Sequence, residues 1–291
     1  MQKVTNFLNI ILYALIITGC SIKDGPHDKI KKIHIDCDIN EFNNIYKNFN
    51  DNINIKANIS YNGKKWTNVK MRIRGDSSRE LPKKSLKLTF SENVPFFNGK
   101  TKINLNAEWF DKTYMTQYLS SYLMFLNGVP CFKSEHVFVY VNGKPQGIYL
   151  MIENMDDQFL KSNNFLKSGN LYKATKDGAC FNDSSEVDFL WEKKSNKNLS
   201  RTDIKKFILE LNNCSVKESY DIYKNKFHYD RLITQVALNI LLSNKSTYYH
   251  NYYMFHDNEL DKWDMIPWDM DKTLSADLLE IHYARSTWSE G

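Results

Sequence analysis

The chain has 291 residues, of which 42% are hydrophobic and 14% aromatic, so its composition is that of a folded protein and excludes an intrinsically disordered one. This length allows one large domain or two small ones. The formal net charge is +5, and acidic and basic residues alternate without a concentrated basic tract. A nucleic-acid partner is therefore not expected.

The first 19 residues predict a signal peptide. Lys3 precedes an apolar run over residues 7–17, which is too short to span a membrane comfortably and is typical of an export signal. The run leads into Ile17-Thr18-Gly19-Cys20, which resembles the lipobox of bacterial lipoproteins. That resemblance implies that Cys20 is lipidated and becomes the mature N-terminus. An ordinary secretory signal with an incidental cysteine is the alternative.

We therefore expect an exported protein that faces outside the cytoplasm and is anchored to the membrane by its lipid. Residues 20–32 are polar and charged, which predicts a tether. Beyond Cys20, four cysteines match no zinc-binding spacing, namely Cys37, Cys131, Cys180 and Cys214. In an exported protein they can pair or stay free, and the sequence leaves both possibilities open.

The first third of the mature chain predicts a β-meander. Apolar and polar residues alternate over residues 33–37, 53–59, 69–75 and 85–90, as in strands with one buried face. Asn62-Gly63 predicts a tight hairpin turn. On the fourth strand Leu86 and Leu88 share one face, whereas Lys87 lies on the other.

A change of period predicts a helix over residues 112–127. Its predicted apolar face comprises Met115, Tyr118, Leu119, Tyr122, Leu123 and Leu126. Residues 137–141 and 147–152 predict a hairpin around Asn142-Gly143. An irregular insert is expected over residues 161–198.

The last part of the chain predicts two helices and a strand pair. Ser200 and Asp203 resemble a capping pair for a helix that reaches residue 211. Asp230 begins the next helix, with the predicted apolar face Ile233, Val236, Ala237, Ile240 and Leu241. The order of elements indicates an α+β fold in one domain over residues 33–291.

Two aspartates follow the final strand. In an extended backbone Asp269 and Asp271 point to one side, so both carboxylates can bind one hard cation. A solvated turn is the alternative. Asn251 precedes the strand pair, and a turn at residues 256–258 would bring it beside Asp269. An Asn and an Asp so placed can share the divalent ions that hold nucleotide phosphates, as in protein kinases.

Several segments together resemble the CotH kinase family, the atypical kinases similar to spore coat protein H. In family order they are residues 72–79, 82–88, 127–130, 139–143, 147–153, 251–253 and 266–271. The resemblance covers about residues 33–275. It implies a distant protein-kinase-like fold, with a β-rich N-terminal lobe and a helix-richer C-terminal part. It also implies ATP and Mg²⁺ as cofactors and phosphate transfer to Ser or Thr of secreted or coat proteins.

The resemblance assigns roles to individual residues. Asp269 is expected to bind the metal with Asn251 as its partner, and Arg74 and Glu153 are expected to line the site.

A lysine of the β-rich lobe, Lys84 or Lys87, is expected to contact the phosphates, aimed by a Lys–Glu ion pair as in kinases. Lys84 is slightly preferred because it shares the strand face of Leu86 and Leu88, which points inward.

Two departures from the family pattern affect the expected activity. Ser246 stands where the family carries an Asp that accepts the substrate's hydroxyl proton, and a serine hydroxyl is too weak a base at neutral pH. Asp264 or His250 could take its place. Family members also usually continue well past the Trp268-Asp269 strand, so a truncated product is expected. The leading hypothesis is an exported kinase; the alternatives are a pseudokinase that binds nucleotide or metal, and a surface adhesin on the same scaffold.

Overall fold

The computed structural model describes residues 30–94, 99–176, 179, 181, 185–244, 246–248 and 250–274. The predicted signal peptide 1–19, Cys20, most of the tether and Cys180 lie outside these residues. From Lys32 onward the described residues belong to one compact unit. Strands and helices are mixed as in the predicted α+β class. Cys37, Cys131 and Cys214 have free thiols.

Seven strands in the described part of the chain close into a barrel. The barrel strands are β1 (Lys31–Cys37), β2 (Ile55–Tyr61), β3 (Lys64–Arg74), β4 (Ser85–Val94), β5 (Lys100–Asn106), β6 (Ser134–Val141) and β7 (Lys144–Glu153). Their order around the barrel is β1-β2-β3-β4-β5-β7-β6. The first five strands pair in sequence with antiparallel neighbours, which confirms the predicted meander.

Both predicted Asn-Gly hairpins are confirmed. Asn62 and Gly63 join β2 to β3 with φ values of 48° and 74°, and Asn142 and Gly143 join β6 to β7 with the same two values. A two-residue turn with both φ values positive matches the twist of the paired strands, and Asn-Gly adopts it at little cost. These turns fix the register of each hairpin.

Alternation along the strands separates an apolar barrel interior from a polar outer face. Met71 and Ile73 of β3 lie in the interior with Leu86 and Leu88 of β4, and all four are at most 1% exposed. The residues between them on each strand point outward. The outer face of β3, β4 and β5 is therefore charged and polar.

A second sheet of four strands has the order β11-β10-β8-β9. Its strands are β8 (Asn170–Ala174), β9 (Trp191–Lys193), β10 (Tyr252–Asp257) and β11 (Lys262–Pro267). The prediction of an irregular insert over residues 161–198 was wrong, because β8 and β9 lie within it. Both strands are short, and β8 is held by antiparallel pairing with β10, more than 70 residues later in the chain. Local composition does not show such a distant partner.

Seven helices lie in the described ranges. They are α1 (Ile39–Lys47), α2 (Thr116–Leu126), α3 (Asp157–Ser162), α4 (Val187–Leu190), α5 (Thr202–Asn213), α6 (Val216–Lys226) and α7 (Tyr229–Leu241). Helices α1 and α6 were not predicted, although both have capping residues: Asp38 caps α1, and Ser215 forms a capping box with Glu218 on α6. No helix of the described residues is long and apolar enough to cross a membrane.

The prediction that Ser200 and Asp203 form a capping pair for helix α5 was wrong. The N-cap is Arg201, which makes no side-chain cap bond. The carboxylate of Asp203 instead accepts hydrogen bonds from Asn170 at 2.8 Å and Tyr172 at 2.5 Å, and it contacts His256 at 3.0 Å. Burial raises the pKa of Asp203, but these hydrogen bonds outweigh it and lower the pKa to about 2. Asp203 thus joins α5 to the second sheet.

The predicted apolar faces of α2 and α7 were wrong in large part, although Tyr118 and Leu123 of the predicted α2 face do pack against the core. Helix α2 buries Gln117, Ser120, Ser121 and Met124, and α7 buries Gln235 and Asn239. Leu126 remains 57% exposed and Leu241 72% exposed. Hydroxyl pairs explain part of this arrangement, since Ser120 Oγ lies 2.6 Å from Thr273 Oγ1 in the interior. Such hydrogen bonds make buried polar positions tolerable.

The second sheet has an apolar cluster on each face. One cluster packs it against the outer side of β7 and against α2 and α3, and includes Ile152, Phe159 and Trp268. The other packs it against α5, and includes Phe207, Tyr252 and Trp263. These clusters hold the second sheet beside the barrel and leave a cleft above the polar face of β3, β4 and β5.

Candidate functional site

A cleft of about 850 Å³ lies between the barrel and the second sheet. Its lining comes from the outer face of β3, β4 and β5, from residues 154–157, from β8 and β9, and from the two ends of the β10–β11 hairpin. The volume falls within the range of about 300–1,000 Å³ that small-molecule and cofactor sites occupy. Charged and other polar residues make up most of the lining.

One wall of the cleft is a group of cations that we call the cationic wall. Its members are Arg72, Arg74, Lys87, Lys102, Lys173 and Lys194. Burial, followed by the charges of Arg72 and Arg74 and of two further wall lysines, lowers the pKa of Lys87 to about 8. The ammonium of Lys87 donates to Asn154 Oδ1 at 3.0 Å, which is a neutral acceptor. An anion with several negative oxygens would relieve this repulsion among like charges.

Arg74 connects the cationic wall to the end of the final strand pair. It follows Ile73 on β3, and its guanidinium lies 5.9 Å from the centroid of the Trp268 ring. It also donates to Asn106 Oδ1. Burial lowers the pKa of Arg74, whereas the nearby charge of Asp269 opposes that shift. Arg74 is therefore a member of the cationic wall that also lies beside Trp268 and within reach of the charge of Asp269, so it can contact both a phosphate and a carboxylate.

The β10–β11 hairpin places Asn251 beside Asp269, as the sequence predicts. Tyr252 pairs with Pro267, and the next backbone bond runs from Trp268 N–H to Asn251 O at 3.1 Å. Strand β10 extends through Asp257, so the turn lies at residues 258–261. Asn251 and Asp269 both line the cleft.

The backbone from Asp269 to Asp271 is not extended, which corrects the geometry assumed from the sequence. Asp269 has a φ of 57° and is followed by the 3₁₀ turn Met270–Lys272. Asn251 also has a positive φ of 66°. Left-handed residues other than glycine cost free energy and concentrate at functional sites. Both aspartates still line the cleft, because the tight turn returns Asp271 to the same side.

The two aspartates are suited to a bound cation. Burial, followed by the charge of Asp269, raises the pKa of Asp271 to about 7. Among the described residues no three His, Cys, Asp or Glu side chains converge to hold a metal by themselves. Mg²⁺ is commonly held by one or two carboxylates together with substrate phosphates and water. Asp269 and Asp271, with the amide oxygen of Asn251, fit that pattern.

Glu153 and the two predicted lysines are not brought together. The carboxylate of Glu153 is 0% exposed and pairs with Lys100 at 2.6 Å. Lys84 lies outside the cleft lining, with its ammonium against the backbone oxygen of Arg79 and 4.2 Å from the centroid of the Phe49 ring. Lys87 lines the cleft instead. Lys84 was preferred because it shares the inward face of the strand, but the cleft lies on the outer side of the barrel, where Lys87 points.

The two residues considered as replacements for the missing base lie in different places. Asp264 is bound to Arg231 of α7 at 2.9 Å and does not line the cleft. Burial raises the pKa of Asp264 to about 7 in spite of this partner. His250 does line the cleft. Ser246 begins the 3₁₀ turn Ser246–Tyr248, which contacts the turn Met270–Lys272.

Sequence reasoning missed Glu108, a buried carboxylate in the cleft lining. Glu108 is 8% exposed and has a φ of 46°. Its Oε1 accepts a hydrogen bond from Gln117 Nε2 at 2.8 Å, whereas its Oε2 is buried without a partner. Burial, followed by the charge of Asp271 and, more weakly, Asp269, raises the pKa of Glu108 to about 8. Nothing in the local sequence marks this residue.

Part of the cationic wall was readable from the sequence. Lys102, Asn104 and Asn106 alternate with the buried Ile103 and Leu105 on β5. That pattern was overlooked, although it is the same signal that identified the neighbouring strands. Lys173 and Lys194 could not be assigned, because strands β8 and β9 had not been predicted.

Comparison with known proteins identifies the family. Residues 71–282, most of the chain, match the family model of the CotH kinase protein. The chain belongs to the CotH kinase family. It is 28% identical over 213 residues to the inner spore coat protein H of Bacillus subtilis (strain 168). That alignment covers 70% of this chain and spans 58% of the length of the CotH relative. The family predicted from the sequence motifs is confirmed.

Proposed function

We propose that this CotH-family chain is a protein kinase that transfers phosphate from ATP to Ser or Thr of a protein substrate, with Mg²⁺. The observation that carries the proposal is the cleft, in which a cationic wall ends at a pair of aspartates. Cations suit the oxygens of a polyphosphate, and the aspartates suit the divalent ion that accompanies it. A distant kinase-like arrangement, with the barrel as the β-rich lobe and the second sheet with its helices as the other, belongs to the same proposal.

Each part of the cleft has a distinct task in this proposal. Lys87 and Arg74 bind and orient the phosphates, and Asp269, Asp271 and Asn251 hold the cation. The bound Mg²⁺ supplies charge neutralisation at the phosphates. Phosphoryl transfer depends mainly on positioning and electrostatic stabilisation, so a site of this kind carries most of what the reaction requires.

Ser246 supports a second candidate, a pseudokinase that binds nucleotide and metal without transferring phosphate. Loss of a general base typically costs a factor of about 10²–10⁴ in rate. A chain with an intact cleft and Ser246 at that position would bind well and react slowly. The two candidates share a site and differ in turnover.

The protein's surroundings are part of the proposal. The relative is a spore coat protein by name. A coat-associated or extracellular location, a coat or surface protein as the substrate and a lipid anchor at Cys20 are consistent with one another. No nucleic-acid partner is proposed.

Thermal unfolding with and without nucleotide tests the proposal. ATP with Mg²⁺ at about 100 times its Kd should stabilise the chain by roughly 2.7 kcal/mol, a rise in Tm of roughly 5–10 °C. Asp269→Asn should abolish the part of this rise that depends on Mg²⁺. Asp221→Asn, at an exposed site on α6, is the matched control and should behave as wild type. Incorporation of labelled phosphate into casein, or into the chain itself, then separates kinase from pseudokinase.

Three results are informative. Stabilisation with phosphate transfer supports the kinase, and stabilisation without transfer supports the pseudokinase. Equal melting curves with and without Mg²⁺-ATP, in wild type and in Asp269→Asn, would contradict both.

A further inference from the structure

The reaction proposed for this cleft needs a group that accepts the proton of the substrate hydroxyl. In protein kinases a carboxylate near the transferred phosphoryl group has this role. Ser246 cannot supply it at neutral pH. A carboxylate of the cleft lining that has no other task would meet this need.

Most carboxylates of the cleft lining have another partner or lie in water. Glu192 forms an ion pair with Lys194 at 2.7 Å. Asp156 caps helix α3 through the backbone N–H of Gln158. Asp76 and Asp157 are exposed to solvent. Asp269 and Asp271 are the proposed cation ligands. The remaining lining carboxylate, in the part of the chain that the structure describes, is Glu108.

Glu108 lies at the acidic end of the cleft. Its carboxyl is close enough to Asp271 and Asp269 for their charges to act on it. One oxygen is fixed by Gln117, whereas Oε2 is buried and has no hydrogen-bond partner. A buried carboxylate oxygen without a donor is costly unless something binds it. The positive φ of 46° at Glu108 is a further local cost of its position.

The loop that carries Glu108 also faces the outside. Two residues later Phe110 lies at the cleft with 73% of its surface exposed. A large exposed aromatic ring at the rim of a cleft is suited to packing against a polypeptide. A protein substrate on Phe110 would have its hydroxyl near Glu108.

We propose that Glu108 is the catalytic residue that accepts the substrate's hydroxyl proton in this chain, in place of the serine at position 246. This inference rests on the proposed kinase function. The proton passes to Oε2 of the ionised form of Glu108, which the hydrogen bonds from Gln117 and the side chain of Asn106 favour, while the hydroxyl oxygen forms a bond to the γ-phosphorus of ATP. The bond from the γ-phosphorus to the bridging oxygen breaks, and its electron pair leaves with ADP. Glu108 then releases the proton to water.

Substitution of Glu108 in the full-length chain tests this role. Glu108→Gln should lower kcat for labelled phosphate transfer to casein by about 10²–10⁴-fold. The KM for ATP should change less than about threefold, and binding of Mn²⁺-ATP measured by calorimetry should be retained, because the cation ligands are untouched. Asp221→Asn removes an exposed carboxylate on α6, outside the cleft lining, and should leave both quantities unchanged.

A rescue variant separates a catalytic role from a structural one. Adding Ser246→Asp to Glu108→Gln should restore transfer at least about tenfold, because it returns a carboxylate to the other position that can serve as base. A merely structural Glu108 would not be rescued in this way. Glu108→Asp keeps a carboxylate and should retain more activity than Glu108→Gln, which covers the case in which Glu108→Gln folds poorly.

The outcomes also separate this inference from the proposed function. Unchanged kcat in Glu108→Gln, or equal loss of transfer and Mn²⁺-ATP binding, would overturn the role of Glu108. Wild-type chain that binds Mn²⁺-ATP without transferring phosphate would overturn it too, and would leave the nucleotide site standing. Wild-type chain that binds no nucleotide would refute the proposed function itself, and the role of Glu108 with it.

Discussion

Lys100→Met is expected to be one of the most destabilising single changes in the barrel. Lys100 is 2% exposed, and its ammonium contacts Glu153 at 2.6 Å, Gln158 O at 2.6 Å and Ser162 Oγ at 2.9 Å. Methionine has a similar length and no charge. The substitution therefore leaves the carboxylate of Glu153, which is 0% exposed, without a cation. Lys100 begins β5, Glu153 ends β7 and Ser162 ends α3, so the ammonium of Lys100 joins β5 to both β7 and α3.

The magnitude follows from the desolvation of the remaining charge. Removal of one partner of a buried ion pair typically costs about 3–5 kcal/mol. At roughly 2–4 °C per kcal/mol for a chain of this size, the Tm should fall by roughly 6–20 °C. Lys100→Met with Glu153→Leu should recover most of that loss, because replacing both charges with apolar groups removes the desolvation penalty.

Urea unfolding of the four variants of this double-mutant cycle measures the effect. Lys102→Met is the matched control two residues along β5, where the ammonium is 40% exposed and 3.4 Å from Asp156. That exposed pair should contribute less than about 1 kcal/mol. The affinity of folded Lys100→Met for ATP should equal that of wild type, since Glu153 does not line the cleft. A loss no larger than that of Lys102→Met would refute the reasoning.

Three further predictions concern the cationic wall, the second sheet and one glycine. Lys87→Met should weaken ATP binding about tenfold or more by calorimetry and should not lower stability without ligand, whereas the control Lys70→Met, at an exposed site of β3, should change neither quantity. Equal ATP affinities of wild type and Lys87→Met would contradict a phosphate role for Lys87. Asp203→Asn should lower the free energy of unfolding by about 2 kcal/mol at pH 7, because the folded-state pKa of about 2 lies below the ordinary 3.8. In urea unfolding, this difference from wild type should shrink as the pH falls from about 4 to about 2, and a difference that stays constant would argue against this linkage. Gly169→Ala places a Cβ against the ring of Phe255 and 2.7 Å from the backbone oxygen of His256, and should cost about 1–3 kcal/mol in the same assay. A loss near zero would show that the ring and this strand can both move aside.

Patterns over a few residues were good guides to the barrel. Asn62-Gly63 and Asn142-Gly143 predicted their turns because the side chains and the φ values they permit are local properties. The alternation along β3 and β4 predicted which residues enter the interior, since successive residues of a strand face opposite sides. The same reasoning placed Lys87 on the outer face, where it lines the cleft.

Patterns over longer distances were poorer guides. Strands β8 and β9 are short, and β8 is held by β10, which lies far along the chain, while β9 pairs only with β8 at the edge of the sheet. Most of the apolar face predicted for α2 was wrong, and one reason is that Ser120 meets Thr273 in the interior, 153 residues away. Helix α7 buries Gln235 and Asn239 in place of its predicted face. A hydrophobic period indicates which side of a helix is apolar, whereas the neighbours decide which side is buried.

The candidate site shows the same division. Short motifs in family order were enough to identify the CotH kinase family and to bring Asn251 and Asp269 to one hairpin. They did not show that Glu153 pairs with Lys100, or that Glu108 lies near Asp271. Each of these contacts joins segments that are separated by folding and have no mutual signal in the local sequence.

The sequence by itself therefore determined the family, the α+β class, the barrel hairpins and the two aspartates at the end of the final strand, because turn chemistry and strand alternation act over a few residues. Only the tertiary structure decided which charges share the cleft, which ones are neutralised elsewhere, and which buried carboxylate oxygen of the lining has no hydrogen-bond donor. Burial and electrostatic interaction depend on the neighbours that the folded chain brings together, and for Lys87, Glu108 and Glu153 those neighbours come from distant segments.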